Sequence, residues 1–405
     1  MSNPSKSSKR VAVITAPNLG WVNAGMVTVD LAFEAMRKRM GGGVQADWYS
    51  LHPAEVRSFR RDVRPEDLPF CSSSVIDRLQ EIYEHDAVIF WGDFLHARHY
   101  LEQDAIINLK LHGHLNDLGA MRSLLHQTML FRDASDDVLS KTLLYGGTLL
   151  HNSQSDYADE GYCSAFSRLI TQANAVWVRD PLSAAKVKHW RQNSAIDHFG
   201  TDAAMLLQPG DLDLLPTTGW ADEIPKEEVA GVFLGNRTRV PRWFYRFAQG
   251  LANQTGTQLE WLPWYDSPRF RTRHMNTRPE KERTLGDVFA ALSRYKFIVT
   301  DTYHLCVNSW RAGTPAICIG SPQPANDSLE GLLTLNDLKK YVFYSAYDAA
   351  DFFVSTSESS HRARAGHFDR LLQLLEGGFE PVVHRMQLHA KRSAGSFEKT
   401  LRGLL

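Results

Sequence analysis

Residues 297–320 read FIVTDTYHLCVNSWRAGTPAICIG, and this stretch decides the architecture. Residues 297–300, Phe-Ile-Val-Thr, are a short apolar run with strong β preference. The polar tetrad Asp301-Thr302-Tyr303-His304 follows, where the strand must end. Residues 305–312 carry apolar side chains at helical spacing, and Gly313 with Pro315 stops the helix. Residues 316–319 form a second apolar run, closed by Gly320. The order is strand, polar turn, helix, strand. In a parallel sheet the turn after such a strand lies at the carboxyl edge, where open α/β folds take their ligands. A buried helix start adds N–H groups without intrahelical partners, which favour an anion. Asp301, Thr302 and His304 therefore stand where a phosphorylated ligand would be handled. His304 is the candidate acid, because imidazole near neutrality donates to phosphate or moves a proton. A structural histidine is the alternative reading of His304; Asp301 reads first as a helix N-cap, and otherwise as a group that orients His304 or acts as a base.

The same alternation runs through the rest of the chain. Residues 11–16 (VAVITA) read as a strand, 17–25 as a loop and 26–40 as a helix stopped by Gly41-Gly42-Gly43. Strands at 86–91 (DAVIFW) and 142–145 close on Gly92-Asp93 and Gly146-Gly147. A strand at 175–178 (AVWV) leads into Arg179-Asp180-Pro181, where Asp180 suits a helix cap and Pro181 a first turn. Residues 208–226, rich in Pro, Gly and Asp, show no period and read as a linker. Strands at 229–234 and 259–264 and helices at 243–253 and 285–295 then precede the opening stretch, and 361–405 is polar and helical. The expected fold is α/β, with two Rossmann-like domains in a GT-B-like arrangement, parallel sheets and a cleft between them. Residues 1–207 form the N-terminal domain on the acceptor side. Residues 227–360 form the C-terminal domain on the donor side. The helices of 361–405 are placed to pack back on the first domain.

Composition narrows the function classes. The chain has 405 residues, 43% hydrophobic and 22% charged, enough for two cores. A formal net charge of -1 provides no bulk attraction to nucleic acid or anionic lipid, so no nucleic-acid partner is expected. No apolar run approaches the roughly 20 residues of a spanning helix; no transmembrane segment is expected, and peripheral membrane contact stays compatible. The start, MSNPSKSSKR, has no apolar region behind it, against a secretory signal. Cys71, Cys163, Cys306 and Cys318 have no zinc spacing. Cys306 and Cys318 are expected as buried thiols in a reducing cytoplasm. With no G-x-G-x-x-G, Walker lysine or nucleophile elbow, no cofactor and no metal are expected.

Further candidates lie at strand ends. Arg179 can fork two hydrogen bonds onto a carboxylate or phosphate, unless it pairs with Asp180 or a distant acid. Arg237 and Arg239, within a cluster that continues through Arg242, Arg269, Arg271, Arg273 and Arg278, are candidate anion contacts. Asp93 is a candidate base towards a sugar hydroxyl, against the commoner turn aspartate. Asn23, Gly25 and Gly92 are candidate acceptor contacts. Trp261 and Trp264 suit either sugar stacking or core packing.

Four segments resemble the polysaccharide pyruvyl transferase family: DAVIFWGDFLH (86–96), VWVRDPLSA (176–184), GTDAAMLL (200–207) and the opening stretch. The resemblance implies two Rossmann-like domains and transfer of pyruvate from phosphoenolpyruvate to sugar hydroxyls as a ketal. It implies that Arg179 and His304 bind the donor's phosphate and carboxylate. It also implies a sugar or lipid-linked glycan acceptor in surface glycan synthesis. One departure stands out: the family's arginine two residues before the histidine is Thr302 here. A nucleotide-sugar glycosyltransferase of the same architecture is the rival reading.

Overall fold

The computed structural model describes residues 8–16, 24–41, 43–51, 72–93, 95–113, 117–191, 199–235, 242–264, 275–276, 283–320, 335–356 and 360–405. Its contacts divide the chain into two compact units. Unit 1 holds the described residues up to Leu207 together with His389–Leu405, and unit 2 those of Gln208–Leu388.

Unit 1 is built on a six-stranded sheet of β1 (Lys9–Thr15), β2 (Val44–Ser50), β3 (Ser72–Ser74), β4 (Ala87–Trp91), β5 (Thr142–Gly147) and β6 (Ala175–Val178). The spatial order is β3-β2-β1-β4-β5-β6, with every pairing parallel. Residues 11–14 and 87–91 are buried at every position, because helices cover both faces of a parallel sheet. That is why these strands read as continuous apolar runs and not as alternating ones. Helix α1 (Ala24–Met40) follows β1, and α2 (Pro181–Arg191) follows β6. The helix therefore begins two residues earlier than its sequence suggested and takes Gly25 out of the expected loop.

Unit 2 carries a five-stranded parallel sheet of β7 (Val229–Phe233), β8 (Gln258–Trp261), β9 (Ile298–Thr300), β10 (Ala316–Gly320) and β11 (Phe353–Ser355), in the order β11-β10-β9-β7-β8. Helices α3 (Arg242–Gln254), α4 (Tyr303–Arg311) and α5 (Leu335–Ala346) pack around it. The stretch read as a linker contains two 3₁₀ turns, Asp211–Leu214 and Trp220–Glu223, with Trp220 and Ile224 buried. The Asp287 carboxylate holds it by accepting from the N–H groups of Thr218 and Gly219.

The chain ends in α6 (Glu380–Leu404). Within unit 1 its Phe397 is fully buried and meets Trp91, Tyr145 and Trp177 edge-on at 5.4, 5.1 and 5.4 Å. The Ser393 and Tyr145 hydroxyls are hydrogen-bonded at 2.7 Å. An aromatic plug of this size is worth several kcal/mol, about 3–5 by the cost of truncating a buried Phe. Cys306 and Cys318 are buried free thiols, as expected.

Candidate active site

In unit 1 the strand order reverses between β1 and β4, which sets Gly92 and Asp93 at the switch point. Gly92 adopts φ +73°, and a Cβ there would lie 2.4 Å from Val29 Cγ1. Only glycine fits that position. Asp93 follows at φ +47°, the left-handed region that aspartate tolerates better than most residues, and its carbonyl accepts from Thr148 N–H at 3.1 Å. Arg179, one residue past β6, is buried. Its Nη1 donates to Asp202 Oδ2 at 3.1 Å, and its Nη2 lies 3.8 Å from Asp93 Oδ1. Asp202 reaches it because Gly200 N–H bonds to Val178 O, extending the sheet edge past β6. Asp180 is not the partner of Arg179. Its carboxylate accepts from Ser183 N–H and the Ser183 and Thr148 hydroxyls, which is the capping role. One guanidinium is thus shared by two carboxylates.

Two buried titratable groups of unit 1 lie near this edge. Asp30 on α1 accepts from the Thr15 hydroxyl at the end of β1, at 2.6 Å. Burial pushes its carboxyl up to about 7, against the opposing effect of that bond. His96 stacks edge-on against Phe90, and burial lowers it to about 3. Its Nε2 has no hydrogen-bond partner among the described residues.

In unit 2 the reversal falls between β7 and β9. Asp301 Oδ1 accepts from the N–H of Gly235, just beyond β7, and so ties the two strand ends across the switch point. Asp301 is therefore not the helix cap. Thr302 occupies the N-cap position of α4 with extended backbone, and its side chain makes no capping bond. Its hydroxyl donates to Asp301 Oδ1 at 3.3 Å, and its N–H donates to Thr300 Oγ1 at 3.0 Å. His304 lies inside the first turn of α4, not before it, because the helix starts at Tyr303. It is half-buried, its ring 5.3 Å from that of Tyr303.

The structure thus groups Asp93 with Arg179 in unit 1, and Asp301, Thr302 and His304 in unit 2. Gly25 is buried in the first turn of α1, its carbonyl accepting from the Thr28 hydroxyl. Asn23, Arg237 and Arg239 lie outside the described residues. Trp264 is buried against Phe289 and belongs to the core, whereas Trp261 is half-buried and packs on Phe233. Among the described residues no group of three or more His, Cys, Asp or Glu side chains could hold a metal ion. No helix among them is long and apolar enough to cross a membrane. The residue that sequence reasoning left without a role is Asp202. Its segment, 200–207, carries part of the family resemblance, but nothing in the sequence pairs positions 179 and 202.

Two all-parallel α/β units, each with charged side chains at its strand-order reversal, have the GT-B-like fold. Solved structures of the same fold include S. aureus MnaA in a co-structure with UDP, at TM-score 0.52 and 10% identity over 98% of each chain. Another is UDP-GlcNAc 2-epimerase from Neisseria meningitidis bound to UDP-GlcNAc, at TM-score 0.51 and 9% identity, covering 97% of this chain and 100% of that one. At these identities the likeness concerns the fold alone. No protein of curated function matches the sequence. The profile of the polysaccharide pyruvyl transferase family matches residues 36–322, well over half of the chain. The chain belongs to the polysaccharide pyruvyl transferase family.

Proposed function

We propose that this protein transfers pyruvate from phosphoenolpyruvate to two hydroxyls of a sugar, as a cyclic ketal, during surface glycan synthesis in the cytoplasm. The observation that supports it most is the Asp301–His304 turn at the switch point of unit 2, in a chain of this family. In the reaction the methylene carbon of the donor gains a proton and one sugar hydroxyl attacks the neighbouring carbon. The second hydroxyl then closes the ring as phosphate leaves, so one ketal and one inorganic phosphate are formed. The steps need an acid, a base and a phosphate clamp. His304 serves as acid or phosphate donor. The first amides of α4, with Asp301 and Thr302 shaping the turn, face the anion. Arg179 acts on the anionic end of the donor, with Asp202 fixing the plane of its guanidinium, and Asp93 is the base towards the acceptor. Arg237 and Arg239 add donor contacts, and Asn23, Gly25 and Gly92 line the acceptor. The scheme requires no metal.

Thr302 favours a second reading, a glycosyltransferase that takes a nucleotide sugar, with His304 and Arg237 on its diphosphate. Thermal stabilisation separates the two. Phosphoenolpyruvate is expected to raise the unfolding midpoint of the wild type but not of His304→Ala or Arg179→Ala. Stabilisation by nucleotide sugars alone would overturn the pyruvyl reading.

A further inference from the structure

A donor with a phosphate and a carboxylate brings more negative charge to the His304 turn than Thr302 can answer. Helix α5 brings a cation to the first residue of α4. Lys339 Nζ lies 5.4 Å from the centroid of the Tyr303 ring, and the His304 ring lies 5.3 Å from the same centroid. Phe343, one turn further along α5, is buried and meets Tyr303 edge-on at 5.8 Å, which fixes α5 against the start of α4.

Beneath this layer Lys340 and Asp337 form a buried ion pair at 2.5 Å, with Lys340 within electrostatic reach of Asp301. Lys339 is half-buried and on the same helix, with its ammonium over the ring of Tyr303, the first residue of α4.

We propose that Lys339 is a further anion-binding residue, gripping the donor's phosphate beside His304 in place of the arginine that Thr302 replaces. The inference rests on reading the His304 turn as the donor-binding part of unit 2. Its ligand chemistry is a phosphate group, whichever molecule carries it.

The test is titration calorimetry on the full chain at low salt, with phosphoenolpyruvate, inorganic phosphate and UDP as probes. The variants are Lys339→Gln, Lys339→Arg and, as a control on the exposed face of α6, Lys399→Gln. Lys339→Gln is expected to weaken phosphate-bearing probes about tenfold, Lys339→Arg to restore most of the affinity, and Lys399→Gln to leave it unchanged. Unfolding midpoints of all three verify that the fold is kept. Wild-type affinity in Lys339→Gln, an equal loss in Lys399→Gln, or a wild type that binds none of the probes overturns the inference. Lys339-dependent binding of phosphate or UDP without binding of phosphoenolpyruvate leaves it standing and overturns the pyruvyl reading instead.

Discussion

At the ligand edge of unit 1 the charged side chains answer one another, whereas at the edge of unit 2 they answer the backbone. Arg179 sits between Asp202 and Asp93, so at the edge of the first sheet one guanidinium is shared by two carboxylates. Asp301 spends its first oxygen on the Gly235 amide, and the second has no partner among the described residues. There the start of α4 has no side-chain cap from Thr302, and Lys339 of α5 lies over the ring of Tyr303. The difference teaches a division of labour. Under the proposed function, Asp93 serves the acceptor hydroxyl and Arg179 the anionic end of the donor, while a helix start beside a histidine suits a phosphate.

The largest effect that would break this comparison is on stability. Asp202→Ala removes the close partner of a buried guanidinium and is expected to cost about 3–5 kcal/mol in urea unfolding. The double variant Arg179→Met with Asp202→Leu should recover part of it, since the close pair is removed as a whole and only Asp93 loses its cation. Recovery failing in the double variant would mean that the pair does more than neutralise itself. In unit 2, His304→Gln should lower turnover about 100-fold while the unfolding midpoint stays near that of the wild type. A parallel fall in both would make His304 a packing residue.

A third prediction concerns pH and involves unit 1 alone. Asp30 titrates near 7 when folded and near 3.8 otherwise, so between those values the folded state holds the extra proton. Its contribution to stability falls as pH rises, by about 1.4 kcal/mol per pH unit. His96 runs the other way, near 3 when folded against 6.5, so its contribution is lost on acidification. The two slopes oppose each other over roughly pH 4–6.5. Asp30→Asn should therefore expose a loss of stability on acidification, and His96→Gln should expose a loss as pH rises. Unfolding free energies measured at half-unit steps of pH check both signs. The smallest expected effect is a gain: Thr302→Arg should tighten phosphoenolpyruvate about threefold by adding a forked donor at the start of α4. No gain, with a tightened nucleotide sugar, would favour the rival donor.

How much of this the sequence revealed depended on whether the signal was local. The strand, turn and helix around Asp301 were legible because both strands of that crossover are buried on two faces and read as apolar runs. Short edge strands such as β3, Ser72–Ser74, carry no such signal and went unread. The role of Asp301 was misjudged towards capping, because its partner Gly235 is 66 residues away. The Asp202–Arg179 pair was hidden for the same reason, since it depends on the chain returning beside β6. Lys339 likewise acquires its place only through the packing of Phe343 on Tyr303.

The most direct test of the central claim is a titration of the full-length wild type and His304→Gln with phosphoenolpyruvate, set beside a panel of nucleotide sugars. Saturable binding of phosphoenolpyruvate that disappears with the histidine is the predicted result. Saturable binding of a nucleotide sugar, with none of phosphoenolpyruvate, would contradict it.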